Sequence, residues 1–206
     1  LVDTDLKRLL AYSSVENIGI IMLGLGAGML FQNAQLPGFT GLALVAALYH
    51  TLNHAAFKSL LFMGAGAILH ATHTRNMENL GGLIKTMPQT AILFLIGSLA
   101  IAALPPFNGF ISEWLTFQSL LVSFHIAAHT INLLFTLAIA ALALTSGLAA
   151  ACFVRAFGIS FLALPRSAAA GMAHEVEWTI RAAMAALALS ISACGGSRTG
   201  RSWCPS

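Results

Sequence analysis

The sequence predicts an all-α membrane protein, a polytopic bundle of transmembrane helices. Hydrophobic residues make up 58% of the chain and charged residues only 8%, whereas a soluble domain carries about 25% charged residues. The apolar stretches are long and lack the alternation with polar residues that the strands of a membrane barrel show. Because so few charges cannot cover a water-facing surface, the lipid bilayer is the expected partner, and nucleic acid is not.

The apolar residues fall into about five hydrophobic segments, most of them long enough for a membrane span of about 20 residues. Asp3, Thr4 or Asp5 is expected to cap the first helix, because side-chain oxygens accept hydrogen bonds from the free N–H groups of a helix N-terminus. Pro37 and Gly38 predict a turn before the second segment. The segments cover about residues 9–31, 39–70, 88–124, 127–157 and 178–193.

The third segment, 88–124, is too long for one straight span, because a helix rises about 1.5 Å per residue and the hydrocarbon core is about 30 Å thick. It is either one crossing broken at Pro105 and Pro106 or a hairpin that turns there. A single crossing puts the clustered cations on one side of the membrane, so the positive-inside rule favours it, with the basic loops in the cytoplasm. These cations are Lys7, Arg8, Arg75, Lys85, Arg155, Arg166 and Arg181.

Two histidines and a lysine lie inside the second hydrophobic segment. His50, His54 and Lys58 recur at every fourth position, so on a helix they form a slanting polar ladder about 12 Å long. A lysine at the centre of a membrane helix costs about 2.5 to 3.5 kcal/mol on an insertion scale, and ionisable groups at this depth usually have a function. Because histidine exchanges protons near neutral pH, the ladder predicts a proton path.

The ladder also fits roles that do not involve proton transfer. Lys58 lies far from both ends of its segment, so snorkelling of its amine to the membrane surface fits poorly. Buried histidines also serve as plain hydrogen-bond partners. His50 and His54 have the spacing of zinc ligands, but no HExxH motif and no third ligand stands nearby. We therefore predict no metal site in this segment.

The sequence ALPPFNGFISEW predicts a discontinuous helix beside a carboxylate. Proline removes a helical hydrogen bond and clashes with the preceding turn, so Pro105 and Pro106, followed by Asn108 and Gly109, are expected to open the helix. Discontinuous helices with polar residues at the break mark ion sites in transporters. Glu113 lies about one turn beyond the break. It either faces the opening as part of the proton path or hydrogen-bonds a neighbour at a simple kink.

Glu16 is a further acidic candidate for the proton path. It lies close to Ser13, Ser14 and Asn17 in the sequence YSSVENIG. It either extends the polar line or sits at the membrane interface. The chain has three cysteines, none in a CxxC pair, which indicates neither a metal site nor a disulfide framework.

Three stretches carry a family pattern: DLKRLLAYSSVENIGIIMLGLG, YHTLNHAAFKSLLFMGAGAILH and ALPPFNGFISEW. They resemble the proton-translocating, antiporter-like membrane subunits of respiratory complex I, Mrp-type cation/proton antiporters and membrane-bound hydrogenases. The sequences AYSSVENIGI, FISEW and HEVEW are most similar to the hydrogenase 4 and formate hydrogenlyase branch of this family.

The resemblance implies a fold of about fourteen helices in two inverted repeats, each with a discontinuous helix. This chain would be the C-terminal part, from the tenth helix onward. His50, His54 and Lys58 then match the family's proton-path residues on the eleventh helix, and Glu113 matches the ionisable residue of the broken twelfth helix. The resemblance implies no cofactor and no redox centre in this chain. It implies other membrane subunits and a peripheral hydrogenase or oxidoreductase arm as partners.

Three hypotheses of function follow. The chain is a proton-conducting subunit, or a fragment of one, in a hydrogenase 4, formate hydrogenlyase or complex I-like complex of the plasma membrane. Alternatively it belongs to an Mrp-type cation/proton antiporter, or it is a non-functional remnant. Residues 1–193 are assigned to the membrane domain, and residues 194–206 to an atypical polar tail that is interpreted as a truncated or frame-shifted end.

Overall fold

The structure, a computed structural model, describes residues 3–126 and 128–196, and within these ranges it is helical and contains no β-strand. The predicted all-α bundle is confirmed. Short 3₁₀ turns cover Met77–Asn79 and Val122–His125. The α-helices are α1 (Leu6–Asn33), α2 (Pro37–Thr72), α3 (Leu83–Thr86), α4 (Pro88–Ile101), α5 (Asn108–Leu121), α6 (His129–Phe161), α7 (Ala168–Gly171) and α8 (Trp178–Gly196).

The helix starts follow from local sequence. Asp5 caps α1, because its carboxylate accepts hydrogen bonds from the amides of Lys7 at 2.9 Å and Arg8 at 3.1 Å. It is one of the three predicted caps. Pro37 is the first residue of α2, a position where proline loses no helical hydrogen bond. The turn predicted at Pro37 therefore lies just before it, where Gln35 has a φ of 58°.

Within the part of the chain that the structure describes, three helices are long and apolar enough to cross a membrane, namely α1, α2 and α6. The longest, α2, has 36 residues and is about 54 Å long, well beyond a hydrocarbon core of about 30 Å. Shorter apolar helices cover Pro88–Ile101 and Trp178–Ser192. The five predicted hydrophobic segments therefore all form helices.

The third hydrophobic segment is a discontinuous helix made of α4 and α5. Both halves pack against α2 and make few contacts with each other, whereas the arms of a hairpin would lie side by side. The amide of Gly82 donates to the carbonyl of Leu162 at 2.9 Å, so α6 ends beside the linker that follows α2. Between Gly82 and Leu162 the chain passes along the length of the bundle twice, once through α4 and α5 together and once in return through α6. The predicted discontinuous helix is confirmed, and its path along the bundle is the one that a single broken crossing requires.

The loop segments that carry positive charge meet at one end of the bundle. The amide of Leu6 donates to the carbonyl of Arg75 at 3.1 Å, and the amide of Arg166 donates to the carbonyl of Leu80 at 3.2 Å. These bonds join the start of α1, the linker after α2 and the connection after α6. We call this end of the bundle the basic end.

A carboxylate from the loop before α8 fixes α4 at the basic end. Glu175 accepts hydrogen bonds from the amides of Gln89 at 2.7 Å and Thr90 at 3.2 Å, and from the Thr90 hydroxyl at 2.7 Å. Arg181 of α8 adds a bond from Nη1 to the Gln89 side-chain oxygen at 2.8 Å. The bonds from Glu175 satisfy free N–H groups at the start of α4. The bond from Arg181 to Gln89 places the first turns of α4 and α8 side by side at the basic end.

Glycines allow α1 to approach α2 closely, as small residues do between membrane helices. A Cβ added at Gly24 would lie 3.1 Å from the Ala47 side chain, and one at Gly28 would lie 3.2 Å from Leu44. Gly26 faces open space, with nothing within 4 Å of an added Cβ. The close approach brings polar residues of α1 against those of α2.

The last helix extends further than the apolar pattern predicted. It covers Trp178–Gly196, whereas the hydrophobic segment was expected to end near 193. Residues 194–196, assigned to the polar tail from sequence, therefore continue α8. The rest of that tail, residues 197–206, lies outside the described residues.

Candidate functional site

Buried polar side chains gather between α1, α2 and α5, inside an otherwise apolar bundle. A buried polar group is costly unless it is hydrogen-bonded, so the partners of these side chains define the site. Each is at most 7% exposed. They are Ser13, Asn17, His50, Asn53, Lys58, Asn108, Ser112 and Glu113.

Lys58 lies in the protein interior and is 6% exposed. Its Nζ donates to the carbonyl oxygen of Leu10 and to the hydroxyl of Ser13, both at 2.6 Å. Both acceptors belong to α1, so the amine points across the α1–α2 contact. Because the amine is held by protein groups deep in the bundle, it does not snorkel to the surface.

His50 links α1 to α5. Its Nε2 lies 3.2 Å from Oδ1 of Asn17, and its Nδ1 lies 2.9 Å from Oγ of Ser112. The Asn17 amide is oriented by its other end, because Nδ2 donates to the carbonyl of Ser13 at 2.8 Å. An amide oxygen only accepts, so Nε2 of His50 carries a hydrogen. Nδ1 is therefore the atom that can gain or lose a proton.

The Ser112 hydroxyl satisfies His50 in either protonation state. Its Oγ lies 2.9 Å from Nδ1 of His50 and 3.0 Å from the carbonyl oxygen of Gly109. With a neutral imidazole, the O–H donates to Nδ1. With a protonated imidazole, Nδ1–H donates to Oγ and the O–H turns to Gly109. Rotation of one O–H bond therefore keeps Nδ1 of His50 hydrogen-bonded in both protonation states without movement of heavier atoms.

His54 does not connect His50 with Lys58. It is half-buried, and among the described residues its Nε2 has no hydrogen-bond partner. Its ring packs edge-on against Phe57, with the ring centroids 5.6 Å apart. Over the part of the chain that the structure describes, no hydrogen bond joins the three members of the predicted ladder. The contacts of His50 and Lys58 instead run to α1 and α5.

The helix break is held by α2 and by a close backbone contact. Nδ2 of Asn108 donates to Oδ1 of Asn53 at 2.9 Å, and Nδ2 of Asn53 donates to the Asn108 carbonyl at 3.1 Å. Gly109 lies so close to α4 that an added Cβ would overlap the carbonyl oxygen of Ala100. The exposed pair Pro105-Pro106 lies between the two halves. The four residues predicted to form the break therefore all lie at it.

Glu113 is buried beyond the break and contacts α6. Its side chain is 7% exposed, and Oε1 accepts a hydrogen bond from the Ser146 hydroxyl. The same hydroxyl lies 2.8 Å from the carbonyl of Leu142, so it can donate either to Glu113 or to Leu142. Glu113 can therefore keep a partner while its protonation state changes.

A narrow cavity lies at the break and brings three of the predicted residues together. It is lined by Glu113, His50 and Glu16, with Asn17 and Ser146 beside them, and it has room for about one water molecule. Glu16 is half-buried and lies within electrostatic range of both Glu113 and Lys58. The cavity thus places the two carboxyl groups and the imidazole around one space between α1, α2 and α5.

Some partners in the site were not singled out from the sequence. Asn53 follows His50 by three positions and Ser112 follows Asn108 by four. Each therefore lies on the same face of its helix as a residue that is predicted from the sequence. That spacing was the signal that could have found them. Ser146 lies on the apolar helix α6, and no local pattern ties it to Glu113.

Zinc coordination by His50 and His54 is not supported. Both ring nitrogens of His50 are already engaged by Ser112 and Asn17. Among residues 3–126 and 128–196 no group of three His, Cys, Asp or Glu side chains is arranged to hold a metal ion. The side chains of the site that the structure describes are joined to one another by hydrogen bonds.

Known proteins share both the sequence and its helical pattern. The family profile described as NADH:quinone oxidoreductase/Mrp antiporter, TM, matches residues 1–143. Hydrogenase-4 component B of Escherichia coli (strain K12) is 50% identical over 188 residues, which are 91% of this chain and 28% of that protein. Formate hydrogenlyase subunit 3 of the same strain is 43% identical over 189 residues, 92% of this chain and 31% of that protein. The chain spans less than a third of the length of these relatives.

The fold agrees with a solved structure of the Mrp complex from Dietzia sp. DQ12-45-1b. The TM-score is 0.74 at 21% identity, and the similarity covers 94% of this chain and 40% of that chain. At this identity the likeness concerns the fold alone. The profile match over residues 1–143 extends across most of the chain. The chain therefore belongs to the family of NADH:quinone oxidoreductase and Mrp antiporter transmembrane subunits.

Proposed function

We propose that this chain is part of a proton-translocating membrane subunit in a complex of the hydrogenase 4 or formate hydrogenlyase type. In such a complex, electron transfer in a peripheral arm drives protons through membrane subunits, and this chain itself holds no redox centre. The names of its relatives support this type of complex. The observation that carries the proposal is the buried amine of Lys58, which donates a hydrogen bond to Ser13 of α1. One turn further along α1, Asn17 binds His50.

The hydrogen-bond network gives each residue a role in the proposed proton path. Lys58 stores a proton, and Asn17 fixes the orientation of His50. His50 exchanges a proton at Nδ1 while the Ser112 hydroxyl rotates. Glu113, the residue after Ser112, receives or delivers the proton at the helix break. Proton transfer needs hydrogen-bond contact or one intervening water, and the cavity at the break has room for that water.

Protons fit this site better than metal cations do. Alkali and alkaline-earth cations are bound by several oxygen ligands, whereas the centre of this site consists of an amine, an imidazole and amides. An Mrp-type cation/proton antiporter is the second candidate, because the matching family profile includes those antiporters. In that case Glu113 and Glu16 would have to supply cation ligands.

The proposed topology puts the basic end in the cytoplasm. Lys7, Arg8 and Arg75 lie at that end. Arg166, in the connection after α6, and Arg181, in the first turn of α8, lie there as well. The positive-inside rule assigns such loops to the cytoplasm. Other membrane subunits would then pack on the exposed apolar faces of α1 and α6, and the peripheral arm would lie at the cytoplasmic side of the plasma membrane.

The proposed function is tested by the ion that the intact complex moves. Inside-out vesicles containing the complex are supplied with formate, and a pH-sensitive dye records acidification of the vesicle interior. We expect formate to drive acidification in sodium-free buffer, and an uncoupler to abolish it. Acidification that requires a sodium gradient and ignores formate would favour the antiporter. Absence of both activities in an assembled complex would favour the remnant hypothesis.

A further inference from the structure

Glu16 contributes to the lining of two separate cavities. One is the narrow cavity that it shares with His50 and Glu113. The other is a groove of about 360 Å³ between α1 and α6, which we call the access groove. The access groove is lined by Asp3 before α1, by Ser13 and Glu16 on α1 and by Thr145 and Cys152 on α6, with apolar residues between them. Glu16 is the titratable group that these two linings have in common.

The access groove reaches the residue that holds Lys58. Ser13 lines the groove and accepts a hydrogen bond from the Lys58 amine at 2.6 Å. Glu16 follows Ser13 by three positions, about one helical turn, and lies within electrostatic range of Lys58. The carboxylate thus borders the groove one turn away from the residue that binds the buried amine.

The mouth of the access groove lies at the basic end. Asp3 precedes α1 and forms an ion pair with Arg8 at 3.2 Å, and Arg8 donates to the Tyr12 hydroxyl at 3.2 Å. Asp3 and Tyr12 both line the groove. From Asp3 to Glu16 the groove follows α1 for about 20 Å. A polar mouth and a carboxylate at this depth suit a water-filled approach from the side of the basic loops.

The geometry points to Glu16 as the residue through which protons pass from the basic side into the interior site. This inference rests on the proposed function and adds the route by which protons arrive. When Lys58 has passed its proton on, the O–H bond of protonated Glu16 breaks and an N–H bond forms on the neutral amine. The Glu16 carboxylate is then reprotonated by a hydronium ion that arrives through water in the access groove, and a neutral water molecule remains. The step moves one proton and needs no redox partner.

Replacement of Glu16 tests its role in the intact complex. We expect Glu16→Gln to slow formate-driven acidification about a hundredfold, the range seen when a positioned proton donor is removed. Glu16→Asp keeps a carboxylate and should retain much of the rate. Glu78→Gln removes an exposed carboxylate from a loop and should match the unmodified complex. An unchanged rate in Glu16→Gln would overturn the inference.

Cys152 offers a second test that does not alter Glu16. It is a free, half-buried thiol in the lining of the access groove. With Cys152 as the sole cysteine of the subunit, a charged, membrane-impermeant methanethiosulfonate is applied to sealed vesicles of each orientation. We expect labelling from the side of the basic loops alone, with slower acidification after labelling, and neither effect in Cys152→Ser. Labelling only from the opposite side, or no labelling, would contradict the proposed route.

The outcome for Lys58 separates this inference from the proposed function. If Lys58→Met stops acidification while Glu16→Gln does not, the proton path stands and the route through Glu16 is wrong. If Lys58→Met leaves acidification intact, the proton-carrying role proposed for Lys58 fails, whatever Glu16 does, whereas loss of formate-driven acidification in the unmodified complex would refute the proposed function itself. Loss of acidification in both variants, with labelling of Cys152 from the basic side, supports both.

Discussion

Lys58→Met is expected to abolish proton translocation without destabilising the helix bundle. Methionine fills a similar volume but cannot bind a proton, so the step assigned to the amine is lost. A buried charge without an ionic partner carries a desolvation cost, and methionine at this position removes that cost. Ser13 keeps a partner in the variant, because its hydroxyl also lies 3.1 Å from the Leu10 carbonyl. Activity and stability should therefore separate.

The prediction for Lys58 is checked by two measurements on the same preparation. Formate-driven acidification in vesicles should fall to the level seen with an uncoupler, while the melting temperature of the complex stays equal or rises. Ser59→Ala, at the exposed neighbouring position, is the matched control and should change neither. A Lys58→Met complex that acidifies vesicles normally would rule out the amine as a proton carrier.

Gly109→Ala is expected to damage the helix break, although it adds only one methyl group. That methyl group would overlap the carbonyl oxygen of Ala100 and lie 2.9 Å from its carbonyl carbon. These are backbone atoms, which cannot rotate away as a flexible side chain can. Overpacking of this kind costs about 1–3 kcal/mol or more. The shift would also move Ser112 and Glu113, one turn further along α5, so proton translocation should fall together with stability.

Gly147→Ala provides the matched control for the break. Gly147 lies within α6 and has nothing within 4 Å of an added Cβ, so alanine should stabilise its helix by up to about 1 kcal/mol. Thermal unfolding of the purified complex should therefore move in opposite directions for the two variants. Equal melting temperatures for Gly109→Ala and Gly147→Ala would show that the close contact at the break is not required.

The helices and the break could be predicted from sequence because their causes are local. Long apolar runs define α1, α2 and α6, and Pro105 and Pro106 interrupt a helix wherever it packs. The single crossing could be predicted as well, since the distribution of lysine and arginine distinguishes it from a hairpin. The helix α8 continues past the apolar segment to Gly196, because a cysteine and two glycines add little to an apolar pattern and so carry little periodic signal.

The connections within the site could not be predicted in the same way. Spacing shows that His50, His54 and Lys58 share a face of α2, but it does not show which helix lies against that face. In the folded chain α1 and α5 cover it, so His50 and Lys58 bind Asn17, Ser112 and Ser13 instead of each other. Contacts between distant parts of the chain depend on the packing of several helices.

The central claim is that Lys58 and Glu113 belong to one proton path, and a double-variant measurement tests it most directly. Initial rates of formate-driven acidification are compared for Lys58→Arg, Glu113→Asp and the double variant in the intact complex. In a single series of steps the slower step sets the rate, so the double variant should be no slower than the slower single variant. A double variant whose rate falls by the product of the two single effects would show that the residues act independently, and would contradict this account.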